Sequence, residues 1–455
     1  MFSVRLFTGV LKISTFRKGF HYMNESNFPA ENAGGNANEP YVHRSPRISA
    51  SSTFFLVLVS VIITILLTFS ATLLLAKDLL GISEKTTLGK IVNKLMAIEQ
   101  ALDDEYVKEI DENELIDSVL KGYMYGIGDI YADYYTQEEY ASIMTDLSGK
   151  GVGIGVSVIY NSDYAAIEVV SVFPNSPAFE AGVQAGDLIA YLYVDGESVS
   201  VAEMGYEKAL DNMLGEAGTS AEFTVFRGAG YEEIVEFSII RAEYTEATVM
   251  SHKYSLDETV GIIKITSFDN NTPTQFNEAL NSLTSEGIRG IILDVRYNPG
   301  GELYSVCQTL DILLPEGPVI RTVDKKGKEE IVYVSDENET NIPMVVLVNE
   351  GTASAGELFT AALRDYEKAT IVGTVTYGKG SMQTTSPFKD GTGFKFTTRY
   401  YCPPFSDNYD GVGIVPDVVV ELAEELVNVN IYKIEDSEDN QLAAAYKELL
   451  NNISK

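Results

Sequence analysis

Two apolar segments in the C-terminal half of the sequence are each followed by a residue that could take part in nucleophilic catalysis. Ser354 follows the apolar run 344–348 and precedes a helical run, so its hydroxyl is expected at a strand-to-helix turn. Lys379 follows the apolar run 371–375 between two glycines, and Gln383 stands four residues later. Backbone N–H groups at a helix start can stabilise an oxyanion, and a neutral lysine can act as a base. The alternative for Ser354 is an ordinary helix N-cap.

A lysine serves as a base near neutral pH only if its pKa falls from about 10.4 to roughly 7–8. That change requires on the order of 3–4 kcal/mol of desolvation at Lys379, which burial could supply. The side-chain oxygen of Gln383 could accept a hydrogen bond from the amine without adding a negative charge. These three residues therefore offer a hydroxyl, an amine and a neutral amide that could take part in catalysis.

Two partial motifs near these residues indicate other chemistry but are incomplete. Residues 373–379 read G-x4-G-K, yet Gly380 stands where a P-loop needs Ser or Thr to hold magnesium. Residues 352–356 match half of G-x-S-x-G but lack its first glycine, and only His252 could serve as a distant base. Nucleotide binding and histidine-dependent hydrolysis are therefore disfavoured.

A third partial motif is similar to that of penicillin-recognising enzymes. Residues 386–389 read S-x-x-K and residues 406–408 read S-D-N, but no K-T-G follows them. The S-x-x-K pair must also lie on a helix, whereas the turn residues 390–393 predict a hairpin. A penicillin-interacting enzyme acting through Ser386 remains a third hypothesis.

The pattern of apolar residues predicts the elements that must position the candidate site. Residues 84–148 have helical spacing and would form an arm, and alternating strands follow over residues 149–241. From residue 242 to 455 strands alternate with helices, which predicts an α/β core that ends in an amphipathic helix at 441–453.

The motifs around the candidate residues resemble the carboxyl-terminal processing, or tail-specific, serine proteases. The resemblance rests on V-L-V-N-E-G-T-A-S-A at 346–355, Y-G-K-G-x-x-Q at 377–383, and T-T-R-Y-Y with G-V-G-I-V-P-D between 397 and 417. It implies Ser354 as nucleophile, Lys379 as base and Gln383 as the assisting residue. The R-x-N-P-G-G-like loop that ends at 301 implies an oxyanion hole from the amides of Gly300 or Gly301 and Ala355.

The β-rich segment 149–241 resembles a PDZ domain. Residues 181–189 read like its A-G-(x)3-G-D-x-I signature, and a Gly-rich loop precedes them. A loop with successive backbone N–H groups can hold a terminal carboxylate, while a strand edge accepts the peptide tail by β-augmentation. The resemblance implies a carboxylate-binding loop formed by Gly153, Ile154, Gly155 and Val156. Such a loop considered alone is more often an ordinary turn.

The expected architecture is mixed, α/β plus β, with one transmembrane helix. The PDZ-like domain would be inserted before an α/β core of ClpP/crotonase-like fold, and the helical region could form a homodimer. The expected segments are a disordered cytoplasmic arm at 1–52, a transmembrane helix at 53–76, a helical region at 84–148, the PDZ-like domain at 149–241 and the protease core at 242–455.

Residues 53–76 carry no charge and are long enough to cross a hydrocarbon core of roughly 30 Å. A cleaved signal peptide and a buried core helix are the alternatives. Residues 1–52 contain six basic and three acidic side chains, so the positive-inside rule places the N-terminus in the cytoplasm. We therefore expect a single-pass protein of the plasma membrane with an extracytoplasmic catalytic domain.

Composition limits the partners and cofactors. The 455 residues include 33 basic and 66 acidic side chains, and a net charge of −33 disfavours nucleic acid and anionic bilayer surfaces as principal partners. Three histidines and two cysteines offer little for metal chemistry or a disulfide framework. We expect no metal and no organic cofactor.

The expected function is a membrane-anchored serine endopeptidase that cleaves proteins or peptides near their C-termini. Its partners would be substrate tails and, through one helix, the lipid bilayer. The alternative is a catalytically silent, membrane-tethered PDZ scaffold that binds protein C-termini.

Overall fold

A computed structural model describes residues 50–79 and 85–454, apart from residues 195, 229 and 428. The chain forms two units, Met1–Glu109 and Ile110–Lys455. The predicted disordered arm at 1–52 lies outside the described residues, except for its last three positions.

The helices are, in chain order, α1 (Ala50–Leu79), α2 (Thr87–Glu105), α3 (Glu112–Tyr125), α4 (Gln137–Ser148), α5 (Pro177–Ala181), α6 (Val201–Met204), α7 (Tyr206–Met213), α8 (Thr272–Ser285), α9 (Leu303–Asp311), α10 (Ala355–Asp365) and α11 (Asn440–Ile453). A 3₁₀ turn spans Glu424–Leu426. The first strands are β1 (Asp133–Tyr135), β2 (Lys150–Gly153), β3 (Val156–Asn161), β4 (Ala166–Val172), β5 (Leu188–Val194), β6 (Glu197–Ser200), β7 (Ser220–Arg227), β8 (Glu233–Ile240), β9 (Ala242–Thr245) and β10 (Val249–Tyr254). The remaining strands are β11 (Asp257–Ile265), β12 (Gly290–Asp294), β13 (Gly317–Asp324), β14 (Glu329–Ser335), β15 (Met344–Val348), β16 (Ala369–Gly373), β17 (Ser381–Pro387), β18 (Gly393–Cys402) and β19 (Val418–Val419).

The N-terminal unit contains α1 and α2. Within α1, Thr53–Thr72 is apolar and long enough to cross a membrane, with a mean hydropathy of 2.7. Several hydroxyls in this stretch donate to carbonyls one turn earlier, as Thr64 does to Ser60 and Thr68 does to Thr64. Such local bonds satisfy polar groups inside an apolar helix. This helix is a candidate for a membrane anchor or a signal sequence.

An antiparallel sheet with its own apolar core follows α4. Its strand order is β3-β4-β5-β7-β8, with β6 paired to β5, and β3 lies at one end of that order. Alternation explains the burial of β7, where Ala221, Phe223 and Val225 face the core. The short strands β2 and β9 pair separately, at the two chain connections of this region.

The sheet that carries the candidate nucleophile has the order β10-β11-β12-β15-β16-β19. Its strands are parallel from β11 to β19, and β10 runs antiparallel at the edge. Every residue of β15 is buried, because helices cover both faces of the sheet. Val346 packs on the side of α8, α9 and α10, and Val345 packs against α11.

A second sheet with the order β1-β18-β13-β14 lies beside this core, and β17 also pairs with β18. The chain leaves β16, forms a loop and enters the β17–β18 hairpin, so the hairpin follows Lys379 directly. Strand β1 pairs antiparallel with β18 and brings the preceding loop to the same hairpin. The sequence predicted only helices in this part of the arm, and β1 was missed because it is three residues long.

The long apolar elements of the core match their predictions. The strand predicted at 344–348 has the same limits as β15, and the tail helix predicted at 441–453 is α11. The strand predicted at 371–375 lies two residues earlier in the chain, as β16, which both begins and ends two residues before the predicted limits. The fold is thus a mixed α/β fold with a mainly parallel sheet at its centre.

Candidate active site

Ser354 lies at the strand-to-helix turn that the sequence predicted. It is the residue immediately before α10, and its side chain is largely buried at 9% exposure. Its backbone has φ 54° and ψ −115°, a conformation that costs on the order of 1–3 kcal/mol for a residue with a side chain. Such strain goes beyond what an ordinary N-cap requires. The segment 349–355, here called the Ser354 turn, therefore holds its hydroxyl in an enforced position.

The buried carboxylate of Glu357 connects the Ser354 turn to the segment 374–380, here called the Lys379 loop. Its Oε2 accepts the amides of Ser354 and Lys379 at 2.9 and 2.8 Å. Its Oε1 accepts the Gly378 amide at 2.7 Å and the Thr376 hydroxyl at 2.5 Å. Glu357 is fully buried. One side chain thus fixes the backbone of both candidate catalytic residues.

Residues 294–301, here called the glycine loop, face the Ser354 turn. A Cβ on Gly300 would come within 2.7 Å of the Ser354 Cβ, so only glycine fits there. The Gly300 amide already donates to Asn298 Oδ1 at 2.8 Å. The amides of Gly301 and Ala355 have no hydrogen-bond partner among the described residues. Of the three predicted oxyanion donors, these two are the available ones.

A buried ion cluster fixes the start of the glycine loop. Arg296 contacts Asp294 and Asp439 through the same Nη2 atom, at 2.8 Å each, and its Nη1 donates to Gln441 at 3.0 Å. Burial acts to lower the pKa of Arg296, but the two carboxylates raise it above its usual value. The guanidinium is therefore charged, and it ties the loop to the N-terminus of α11.

Lys379 is only partly buried, and its side chain does not reach Ser354. The Nζ atom lies over the ring of Tyr131, 4.6 Å from the centroid. Within the described residues no hydrogen bond joins this amine to the Ser354 hydroxyl, whose oxygen lies 2.8 Å from the Tyr401 phenol oxygen. Burial and the charge of Lys395 lower the pKa of Lys379, while Glu357 opposes them. The structure therefore brings the two loops together without pairing the two side chains.

Gln383 lies near the start of the β17–β18 hairpin. Its Nε2 donates to Ser381 Oγ and to Thr397 Oγ1, both at 3.1 Å. These bonds orient the amide group, and its carbonyl oxygen accepts no hydrogen bond from any residue that the structure describes. No hydrogen bond between Gln383 and Lys379 occurs in the described part of the chain.

Sequence reasoning missed three residues of the site: Glu357, Tyr131 and Tyr401. A glutamate three residues after a serine is a capping signal, so Glu357 could have been found from its spacing. Nothing in the sequence places Tyr131 beside Lys379, because the two are joined only by the tertiary fold. Burial raises the pKa of Tyr401 to about 12, so its phenol keeps its proton at neutral pH.

The four predicted carboxylate-loop residues lie between β2 and β3. Gly153 ends β2, Val156 begins β3, and the amides of Ile154 and Gly155 have no hydrogen-bond partner within the described residues. Gly155 has φ 79°, and a Cβ there would meet the side chain of Ser176 at 2.3 Å. The loop has no room for a side chain at Gly155, and the amides of Ile154 and Gly155 are available as hydrogen-bond donors.

The three partial motifs do not form the sites that they suggested. Lys379 is followed by strand β17, whereas a P-loop continues into a helix. Ser386 lies on β17 and not on a helix, with a turn after it as predicted. His252 is exposed, and its Nε2 lies 3.1 Å from Asp436.

Comparison with known proteins agrees with a catalytic serine. Residues 259–420 match the model of Peptidase family S41. A "Probable CtpA-like serine protease" of Staphylococcus saprophyticus is 33% identical over 357 residues, which cover 77% of this chain and 70% of the relative. A protein of the same description from Staphylococcus aureus strain MRSA252 is 30% identical over 434 residues, which cover 92% of this chain and 84% of that one.

A solved structure, "Photosystem II D1 C-terminal processing protease", aligns with 74% of this chain and 87% of its own at 23% identity and a TM-score of 0.45. The assignment therefore rests on the sequence relatives. The protein is a serine peptidase. It belongs to Peptidase family S41, as the resemblance to carboxyl-terminal processing proteases predicted. A catalytically silent scaffold is accordingly disfavoured.

Proposed function

We propose that this peptidase works through a Ser354/Lys379 dyad assisted by Gln383. The observation that carries the proposal is the double hydrogen bond of Glu357 Oε2 to the amides of Ser354 and Lys379. This contact keeps the two backbones close enough for a change of the Lys379 side chain alone to complete the dyad.

In the proposed reaction the Ser354 hydroxyl attacks a substrate peptide carbonyl while Lys379 takes the hydroxyl proton. The new Oγ–C bond gives a tetrahedral oxyanion, and its collapse breaks the peptide C–N bond as Lys379 returns the proton to the leaving amine. Water then hydrolyses the ester and restores the serine. The open amides of Gly301 and Ala355 are our candidates for the oxyanion donors, and Gly300 provides the space beside Ser354. Losing one donor typically costs about 10²- to 10³-fold in rate.

Gln383 would accept a hydrogen bond from the Lys379 amine through its unused carbonyl oxygen. Its Nε2 is already bound to Ser381 and Thr397, which fixes the direction of that oxygen. A neutral partner suits a base that must be uncharged, because a carboxylate would favour the ammonium form.

We also propose that residues 149–241 act as a PDZ-like domain that binds substrate C-termini. The open amides of Ile154 and Gly155 support a carboxylate site, and strand β3 at the end of its sheet could pair with an extended tail. Cleavage would then occur near the C-terminus of the bound protein. On this view the domain is inserted before an α/β core of ClpP/crotonase-like fold at 242–455.

We further propose that α1 anchors the enzyme in the plasma membrane. The cationic N-terminal segment would remain in the cytoplasm, and the acidic remainder, with the active site, would lie outside. The helical region 84–148 could support a homodimer. Protease protection of intact cells would test the topology: digestion of the catalytic part from outside supports it, and full protection contradicts it.

Labelling with a fluorophosphonate probe tests the dyad. We expect covalent modification of Ser354 in the wild type, its loss in Ser354→Ala, and a fall of at least about 10²-fold in Lys379→Ala, because general base catalysis typically contributes 10²- to 10⁴-fold. Ser386→Ala is the matched control and should label like the wild type. Equal labelling of Lys379→Ala and the wild type would refute the dyad, and a penicillin adduct at Ser386 would support the third hypothesis instead.

A further inference from the structure

The loop between α3 and β1, residues 126–132 and here called the arm loop, contacts the base side of the candidate site. Its Tyr131 ring lies under the Lys379 ammonium, 4.6 Å from centroid to Nζ. Its Asp129 accepts the amide of Thr397 at 2.8 Å, and the Thr397 hydroxyl accepts the Gln383 amide at 3.1 Å. The arm loop therefore contacts Lys379 directly and Gln383 through one residue.

Hydrogen bonds within the arm loop and the pairing of the strand that follows it hold the loop in place. Asp129 Oδ1 accepts the Tyr131 amide at 3.0 Å, so the carboxylate that binds the hairpin also shapes the turn at Tyr131. Strand β1 then pairs with β18 through Asp133 and Lys395. The ring of Tyr131 is thus fixed relative to the hairpin that carries Gln383.

The Tyr131 contact occupies the amine that the dyad needs. Within the described residues the Lys379 Nζ makes no hydrogen bond or ion pair, and the face of the Tyr131 ring is its partner. An ammonium within about 6 Å of a ring centroid is attracted by the ring quadrupole, which shifts an equilibrium by roughly 2- to 30-fold. An effect of this size can hold a side chain in a resting position and can still be overcome by substrate binding.

We propose that Tyr131 is a positioning residue that retains the Lys379 side chain on its ring face in the resting enzyme and releases it when the dyad forms. This inference rests on the proposed dyad. It makes the arm loop a regulator of the base, because any movement of the loop changes where the amine lies. The ring attracts only the charged form, so release and deprotonation favour each other.

The other charged groups around Lys379 come from three elements. Lys395 on β18 acts to lower its pKa, and Glu357 on α10 acts to raise it. Asp410 lies in the loop before β19 and binds the Gly380 amide at 2.9 Å. Tyr377 on the Lys379 loop interacts with Tyr131. Replacing Tyr131 leaves Lys395, Glu357 and Asp410 in place. The hydroxyl contact with Tyr377 is lost in both Tyr131→Leu and Tyr131→Phe, so the comparison of these two variants isolates the effect of the ring face.

The test measures phosphonylation of Ser354 by a fluorophosphonate probe against pH in the full-length, detergent-solubilised protein; the serine oxygen bonds to phosphorus and fluoride leaves. Tyr131→Leu keeps an apolar side chain but removes the ring face. We expect it to react roughly 2- to 30-fold faster than the wild type at neutral pH, with the midpoint of the acidic limb lowered by up to about 1.5 pH units. Tyr131→Phe keeps the ring face and should retain the wild-type midpoint.

Tyr135→Leu is the control, because Tyr135 lies on β1 next to the arm loop and its ring faces Lys395, 5.3 Å from centroid to Nζ, instead of Lys379. Lys395 keeps its charge in this variant, so the midpoint should stay near the wild-type value. An unchanged or raised midpoint in Tyr131→Leu, or the same lowered midpoint in Tyr135→Leu, would overturn the inference.

A second measurement needs no variant. The ε-protons of Lys379 in the wild type should show an upfield ring-current shift that disappears after Ser354 has reacted with the fluorophosphonate, and a shift that persists would overturn release. If the proposed dyad is wrong, Lys379→Ala will be labelled as strongly as the wild type. That result does not depend on the Tyr131 variants, so the two proposals can fail separately.

Discussion

The Ser354 turn and the Lys379 loop form the two sides of the candidate site, and they are held in different ways. The Ser354 turn lies between a fully buried strand and a buried helix, and the glycine loop packs against it. The Lys379 loop has a fixed backbone, but its lysine side chain is partly exposed and rests on a ring from the arm loop. The core thus determines where Ser354, the proposed nucleophile, lies, whereas a contact from outside the core determines where the side chain of Lys379, the proposed base, lies.

This difference implies that the two sides respond differently to mutation. Damage to the nucleophile side should reduce the stability of the whole unit, because its contacts are core contacts. Damage to the base side should change the rate or its pH dependence and leave the fold intact. Substitutions on each side, and at the carboxylate that joins them, test this contrast.

The largest effect is expected on the nucleophile side, from Arg296→Leu. This change removes the cation that Asp294 and Asp439 share and leaves Asp294 with only the more distant Lys264, 4.0 Å away. Breaking such a buried pair typically costs about 3–5 kcal/mol. Chemical denaturation of the full-length, detergent-solubilised protein would measure the loss in free energy of unfolding. Arg289→Leu is the control, because Arg289 is exposed and lies just before β12, the strand that ends at Asp294. Its free energy of unfolding should change little. Equal stability of both variants would show that the cluster does not support the glycine loop.

An intermediate effect is expected from Glu357→Gln, at the carboxylate that links the Ser354 turn to the Lys379 loop. The new amide N–H₂ would face N–H donors of Ser354 or Lys379, so at least one buried donor loses its acceptor, at about 1–3 kcal/mol. Misplacing the two backbones should lower the acylation rate about 10²-fold. Glu350→Gln, on the exposed part of the Ser354 turn, is the control. If the Glu357 variant were destabilised but fully active, the carboxylate would have only a structural role.

The smallest effect is expected on the base side, from Gln383→Glu. A carboxylate beside Lys379 favours its ammonium form and raises its pKa. Because the base must be neutral, the acidic limb of the pH–rate profile should move to higher pH, and the rate at neutral pH should fall roughly tenfold for each pH unit that the limb moves. The melting temperature should remain near that of the wild type. Thr384→Glu adds the same charge at the neighbouring exposed position and should move the profile less. An unchanged profile in Gln383→Glu would contradict its proposed contact with the lysine.

The sequence predicted the core elements because their signals are local. The apolar run at 344–348 is long and continuous, so its burial on both faces of a parallel sheet could be inferred from composition alone. The amphipathic tail helix could be predicted from its 3.6-residue period in the same way. Strand β1 is three residues long and has no such period, so its pairing with β18 could not be predicted.

In the candidate site, too, some features follow from local sequence patterns and others depend on the tertiary fold. Residue type, spacing and the resemblance to a protease family together selected Ser354, Lys379 and Gln383, and all three signals are local, such as a hydroxyl after a strand and a lysine between glycines. The contacts of their side chains depend on segments far apart in the chain. Tyr131 and Lys379 are separated by about 250 positions, and Ser354 and Tyr401 by 47.

The sequence by itself therefore determined which groups could do the chemistry and on which kinds of element they stand. Only the tertiary structure decided that Glu357 joins the two loops, that Tyr401 pairs with the Ser354 hydroxyl and that Tyr131 lies under the Lys379 amine. Backbone patterns are set by neighbours within a few residues, whereas a buried polar side chain finds its partner among groups that only the folded chain brings together.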